Sequence, residues 1–113
     1  KGRAVAPIEI RPELYNSWQY AHGGVVMTLL DVTMGSAARS SVPHAAGVVT
    51  VDMSVSFIAA GQGRLTVEGR VLRSGASIIF CEGEMRDEAG ELVAKAMASF
   101  KVKRKVSPGE TAN

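Results

Sequence analysis

The stretch AHGGVVMTLLDVTMGSAARSSVP, residues 21–43, decides how the whole chain is read. Between the pair Gly23-Gly24 and Arg39 it carries a single formal charge, Asp31. The spacing predicts a helix from about Gly24 to Arg39. Ala21-His22-Gly23-Gly24 makes a flexible lead-in, and Pro43 disfavours helical backbone at Val42. At about 100° per residue, Val26, Leu29, Leu30 and Ala37 share one face. Met27, Thr28, Asp31, Gly35 and Ala38 share the opposite face, and Val25, Val32 and Met34 fill the sides. A helix that is apolar almost all round is a buried helix.

Working outward, the second half reads as strands. From Val48 to Ile58 the side chains alternate. Val49, Val51, Met53, Val55 and Phe57 are expected on one face, and Thr50, Asp52, Ser54 and Ser56 on the other. Three further strands are expected at Arg64–Arg73, Ser77–Arg86 and Glu91–Arg104, with a weaker one at Ala4–Glu13. The short Gly-bearing connections around Gly61, Gly75 and Gly90 suit hairpins, so the expected sheet is an antiparallel meander. One buried helix and one long antiparallel sheet imply an α+β domain in which the sheet wraps the helix. The helix face bearing Asp31 then needs another cover, and a second subunit is the obvious candidate.

Composition narrows the function. A chain of 113 residues is one domain, residues 1–113, with a basic, loop-like tail from about residue 104. Six aromatic residues and a net charge of +2 argue against a nucleic-acid binder. No apolar run reaches the length of a membrane span. The single Cys81 fits a reducing cytoplasm. His22, His44, Cys81 and the carboxylates show no metal-ligand spacing, so neither a metal nor another cofactor is expected.

Asp31 is the outlier, because a buried unpaired carboxylate is costly. It is either bonded to a nearby hydroxyl as a structural group, or it is a catalytic carboxylate beside a cleft. Thr28 and Gly35, one turn to either side, are small and leave room for a ligand above it. Gly23 and Gly24 are either a plain turn or the start of an oxyanion hole. Backbone N–H groups at a helix N-terminus are unpaired, and glycine lets a carbonyl oxygen approach them. Eight residues separate Gly23 from Asp31, roughly 12 Å along the axis. Both can serve one carbonyl only if two subunits share the site.

Asn16, then His22-Gly23-Gly24, then Asp31, then Val49-Thr50-Val51-Asp52-Met53 together resemble the PaaI-like acyl-CoA thioesterases of the hotdog superfamily. Gly90-Glu91-Leu92-Val93-Ala94-Lys95-Ala96 fits the same pattern. The resemblance covers about Ala4 to Lys103. It implies a helix wrapped by a curved sheet, paired into dimers and often tetramers. It implies that the Gly23 N–H polarises a thioester carbonyl, with Asn16 and His22 shaping the pocket. By the same resemblance, Asp31 of the facing subunit is base or nucleophile, and Thr50 orients water or the carboxylate. Gly24, Met27, Thr28, Gly35, Arg73 and Gly75 are the expected substrate contacts. The pattern departs at Ala76, where a basic or hydroxyl residue commonly follows the glycine. Coenzyme A would be part of the substrate, an aryl- or medium-chain acyl-CoA. Two rivals stay open: a hotdog enoyl-CoA hydratase or dehydratase, and a non-catalytic acyl-CoA sensor.

Overall fold

A computed structural model describes residues 1–9 and 23–105. Its elements are β1 (Arg3–Glu9), α1 (Gly23–Ser41), β2 (Gly47–Phe57), β3 (Arg64–Ser74), β4 (Ile78–Arg86) and β5 (Leu92–Lys103). The five strands form one antiparallel sheet in the order β1-β3-β4-β5-β2. The helix lies across one face and packs most heavily on β3. This is the α+β arrangement implied by the resemblance.

Each element follows from its residues. Helix α1 runs one residue earlier and two later than expected, because its C-terminal carbonyls find partners. Ser40 and Ser41 donate their hydroxyls to the carbonyls of Ala37 and Ala38 at 2.8 and 2.7 Å. Arg39, in the last turn, favours the negative end of the helix and donates to the Val42 carbonyl at 2.7 Å. The core joins Val26, Leu30, Met34 and Ala38 of the helix to Leu65, Val67, Ile79, Cys81 and Met85 of β3 and β4, and to Ala94, Ala96, Ala98 and Phe100 of β5.

Two glycines set how closely helix and sheet meet. Gly69 and Gly83 face each other across β3 and β4. A Cβ on Gly69 would lie 2.8 Å from Met34 Cα, Met34 N and Thr33 O, so α1 rests directly on the strand backbone. A Cβ on Gly83 would meet the Met34 and Leu30 side chains. No other residue type leaves that space.

Three expectations need correction. The helix is not buried all round in the single chain. Ala38, expected opposite the apolar face, is fully buried, while Val32 is 60% exposed and Met27 and Thr28 are also exposed. The Thr33–Met34 backbone seats on Gly69, and the Met34 and Leu30 side chains seat on Gly83. Second, the sheet is a meander only from β3 to β5. Strand β2 pairs with β5, and β1 pairs with β3. The Ile58–Gly63 connection therefore crosses the end of the sheet rather than closing a hairpin. Six residues span about 20 Å when extended, enough to cross three strand spacings of about 14 Å.

Third, β2 does not alternate throughout. Its register against β5 shifts between Thr50 and Asp52, leaving Val51 as a bulged residue. A bulge reverses the faces on one side of it. Met53 and Val55 face the helix as expected, but so does Thr50. Val49 and Val51 are exposed. Asp52, Ser54 and Ser56 stay on the outer face, opposite Ser99, Met97 and Lys95.

That outer face carries an ion-pair ladder. Lys95 bridges Glu82 at 3.1 Å and Glu84 at 2.8 Å, Arg70 pairs with Glu82, and Arg86 pairs with Glu84 at 3.0 Å. Among the described residues, no helix is long and apolar enough to cross a membrane. None of their His, Cys, Asp or Glu side chains groups into a set of three able to hold a metal.

Candidate active site

The bulge at Val51 turns Thr50 toward the helix, and its hydroxyl donates to Asp31 Oδ1 at 2.7 Å. Asp31 is half-buried in α1. Among the described residues no cation pairs with Asp31, and the Thr50 hydroxyl supplies a neutral hydrogen bond to its Oδ1. A carboxylate bonded through one oxygen is held in place while its second oxygen can take a proton.

Two hollows meet at this pair. The larger, about 520 Å³, runs along the C-terminal half of α1. Asp31, Val32, Gly35, Ser36, Arg39 and Ser40 form its helical wall, and Val48, Thr50 and Phe100 form the sheet wall. That volume suits a small-molecule site. The smaller, about 290 Å³, lies toward the helix N-terminus between Met27, Thr28 and Met53. Asp31 and Thr50 line both. A long thin molecule laid in this groove would pass its middle over the carboxylate.

The structure brings together Asp31, Thr50, Gly35, Met27 and Thr28. Thr28 does not touch Asp31: its hydroxyl donates to the Gly24 carbonyl at 2.8 Å, one turn back. Gly35 keeps the groove open, since a Cβ there would sit 3.5 Å from the Phe100 ring. Gly23 and Gly24 open the helix and are exposed. A Cβ on Gly23 would touch the Phe57 ring at 3.6 Å, and one on Gly24 would meet nothing within 4 Å. The helix is continuous from Gly23 to Asp31, so the two stay roughly 12 Å apart within one chain.

Arg73 and Gly75 lie elsewhere. Arg73 pairs with Phe80 across the outer face, and Gly75 turns the β3–β4 hairpin, donating to the Ile78 carbonyl at 2.8 Å. Neither lines either of the two hollows described above. Asn16 and His22 lie outside the described residues. Cys81 is fully buried, and burial pushes its thiol up to about 11, as a small core residue would be. Ser36 and Phe100 were not read from the sequence as groove residues, and Arg39 was read only as one of three arginines, with Arg70 and Arg73, that could meet coenzyme A phosphates. The signal for two of them was present: Ser36 and Arg39 follow Val32 at four and seven positions, the spacing of one helical face.

Comparison with known proteins agrees with this geometry. Residues 19–94 match the model of the thioesterase superfamily. A Saccharolobus solfataricus protein, named as a candidate esterase, is 38% identical over 92% of this chain and 74% of its own length. The 1,4-dihydroxy-2-naphthoyl-CoA hydrolase of Listeria monocytogenes is 26% identical over 93% of this chain and 86% of its own. A Streptococcus mutans protein solved with acetyl-CoA superposes with a TM-score of 0.86 at 26% identity, covering 95% of this chain and 86% of its own. With one helix on a five-stranded antiparallel sheet and a carboxylate on the open side of that helix, the chain belongs to the thioesterase superfamily, as a thioester hydrolase of hotdog fold.

Proposed function

We propose that the protein hydrolyses acyl-CoA thioesters, of aryl or medium-chain acyl groups, in a homodimer whose active sites are shared. The observation that carries this reading is the Asp31–Thr50 pair at the junction of two hollows. Asp31 Oδ2 takes a proton from water as the water oxygen bonds to the thioester carbon. The oxyanion rests on the Gly23 N–H of the partner subunit. It collapses by breaking the C–S bond, and the proton goes to the departing thiolate. Acyl-CoA and water become free acid and coenzyme A. A positioned base contributes about 10²–10⁴-fold, and a lost oxyanion donor costs about 3–4 kcal/mol. No bound cofactor is needed for this balance.

Two features support the shared site. The fixed span from Gly23 to Asp31 keeps one chain from supplying both groups to one carbonyl. Edge strand β2 also exposes Val49 and Val51, and the open face of α1 exposes Met27 and Val32. An apolar edge of this kind suits pairing with a second copy, strand to strand and helix to helix. A further pairing of dimers and a cytoplasmic location belong to the same proposal. The coenzyme in the Streptococcus mutans structure and the thioester cleaved by the Listeria monocytogenes hydrolase support the substrate class.

A thiol-release assay over a panel of acyl-CoAs tests the reaction. Asp31→Asn should assemble normally and lose at least about 10²-fold in turnover. Wild-type turnover in that variant, or hydration of an enoyl-CoA without thiol release, refutes the reading. Mixing Asp31→Ala subunits with Gly23→Val subunits should restore part of the activity. No recovery after verified subunit exchange refutes the shared site.

A further inference from the structure

The larger hollow has two poles, and only one of them is used by the hydrolysis. At one end stands the Asp31 carboxylate, at the other the Arg39 guanidinium, with Val32, Gly35, Val48 and Phe100 between them. Arg39 is half-buried in the last turn of α1. It spends one N–H on the Val42 carbonyl, at 2.7 Å, which anchors the head group at the far end of the groove. A guanidinium has five N–H donors. Among the described residues no carboxylate pairs with Arg39, whereas Arg3, Arg64, Arg70 and Arg86 all have one. A half-buried, anchored and unpaired guanidinium in a groove lined with apolar groups is prepared for an anion. Ser36 lines the same end and adds a hydroxyl.

We infer that Arg39 reads the distal end of the acyl group, and that the preferred substrate is the thioester of an acid carrying a second carboxylate at that end. The inference rests on the hydrolase reading above and deepens it. Its length follows from the helix. Arg39 is eight residues beyond Asp31, roughly 12 Å along the axis. A reacting carbonyl stands about 3 Å from the catalytic oxygen, and a charged hydrogen bond takes about 3 Å more at the other end. That leaves roughly 6 Å between the thioester carbon and the distal carboxylate, the reach of a four-methylene spacer or of a para-substituted ring. The pantetheine arm of coenzyme A is longer than this span, so in its extended form it would carry the phosphates past Arg39. The smaller hollow beside Met27 and Met53 is left for that arm.

The experiment compares adipoyl-CoA with hexanoyl-CoA. Both have six acyl carbons and the same coenzyme, and they differ only in the terminal carboxylate. Wild type should favour adipoyl-CoA in kcat/KM by about tenfold to a hundredfold, the range of one charge-assisted hydrogen bond to a held anion. In Arg39→Met the ratio should fall to about one or invert, and in Arg39→Lys part of the preference should return. A ratio on one preparation is insensitive to partial unfolding. An equal loss on both thioesters in Arg39→Met would place Arg39 on the coenzyme or in the scaffold and overturn the inference. Wild-type cleavage of hexanoyl-CoA with no adipoyl preference overturns it and leaves the hydrolase standing. Cleavage of neither thioester overturns the inference, and thiol release from no acyl-CoA of the panel, aryl thioesters included, sinks the hydrolase reading as well.

Discussion

Replacing Gly69 by alanine is the most direct test of how helix and sheet are held. The new Cβ would stand 2.8 Å from Met34 Cα, Met34 N and Thr33 O. Ordinary carbon contacts are at about 3.5–4.0 Å, so a separation of roughly 0.7–1.2 Å must be found. All three obstacles are helix backbone, so no rotamer change relieves them and α1 must lift off β3. Leu30 and Met34, both fully buried beneath the helix, then lose contact with the sheet. A gap of that size forfeits about a quarter to a half of each contact, and each of these side chains makes tens of contacts worth about 0.1–0.2 kcal/mol. The loss is about 2–3 kcal/mol, within the range for overpacked cores. That corresponds to a fall of roughly 10–20 °C in Tm for a domain of this size. Urea and thermal unfolding followed by circular dichroism at fixed protein concentration measure it. Gly83→Ala should cost less, because its obstacles are the side-chain atoms of Met34 and Leu30. Gly47→Ala, with nothing within 4 Å, should stay within about 0.5 kcal/mol of wild type. Gly69→Ala as stable as wild type, or Gly83→Ala the worse of the two, would refute the close seating of α1.

Thr50→Val keeps the shape and deletes the donor to Asp31, so turnover in the thiol-release assay should drop about tenfold with little change in Tm. Cys81 should resist a thiol reagent at pH 8 in the native protein and react at once after denaturation, since burial pushes its thiol up to about 11. The outer ladder makes stability depend on acid. Hydrogen bonds from Lys95 hold Glu82 and Glu84 below the ordinary carboxylate value of 4.5. The stability they add is present above that value and is lost as pH falls below it. Lys95 is itself raised by Glu84 and Glu82, so its part is present below 10.5 and lost at higher pH. Lys95→Met should therefore differ from wild type near pH 7 and converge with it toward pH 3, as read by denaturant midpoints.

Much of the fold is legible in the sequence because periodicity reports which side of an element is buried. The helix expected from about Gly24 and the strands expected over Arg64–Arg73, Ser77–Arg86 and Glu91–Arg104 are all of this kind. Periodicity does not report which strand is the neighbour. Nothing in the residues around Gly61 distinguishes a hairpin from a crossing at the end of the sheet. It is also blind to a single bulged residue. Thr50-Val51-Asp52 alternates perfectly as text, yet the extra residue at Val51 carries Thr50 from the outer face to the one that meets Asp31. The depth of the groove depends on Phe100, four strands away in the sequence from Gly35, and only the assembled sheet puts that ring beneath the helix.

Phe100 has a double membership with a bearing on how the protein can change. It is a fully packed core residue, 2% exposed, and it is also the floor of the larger hollow. An exchange at Phe100 that reshapes the binding space also damages the scaffold, so that route to new substrates is closed by stability. The opposite wall is free of this coupling. Gly35 is half-buried and Val32 and Ser36 are exposed. Substitutions there resize or repolarise the hollow while leaving the packing under the helix alone. Diversity in substrate range should therefore accumulate on one side of the groove only, with the sheet side held constant as a common template.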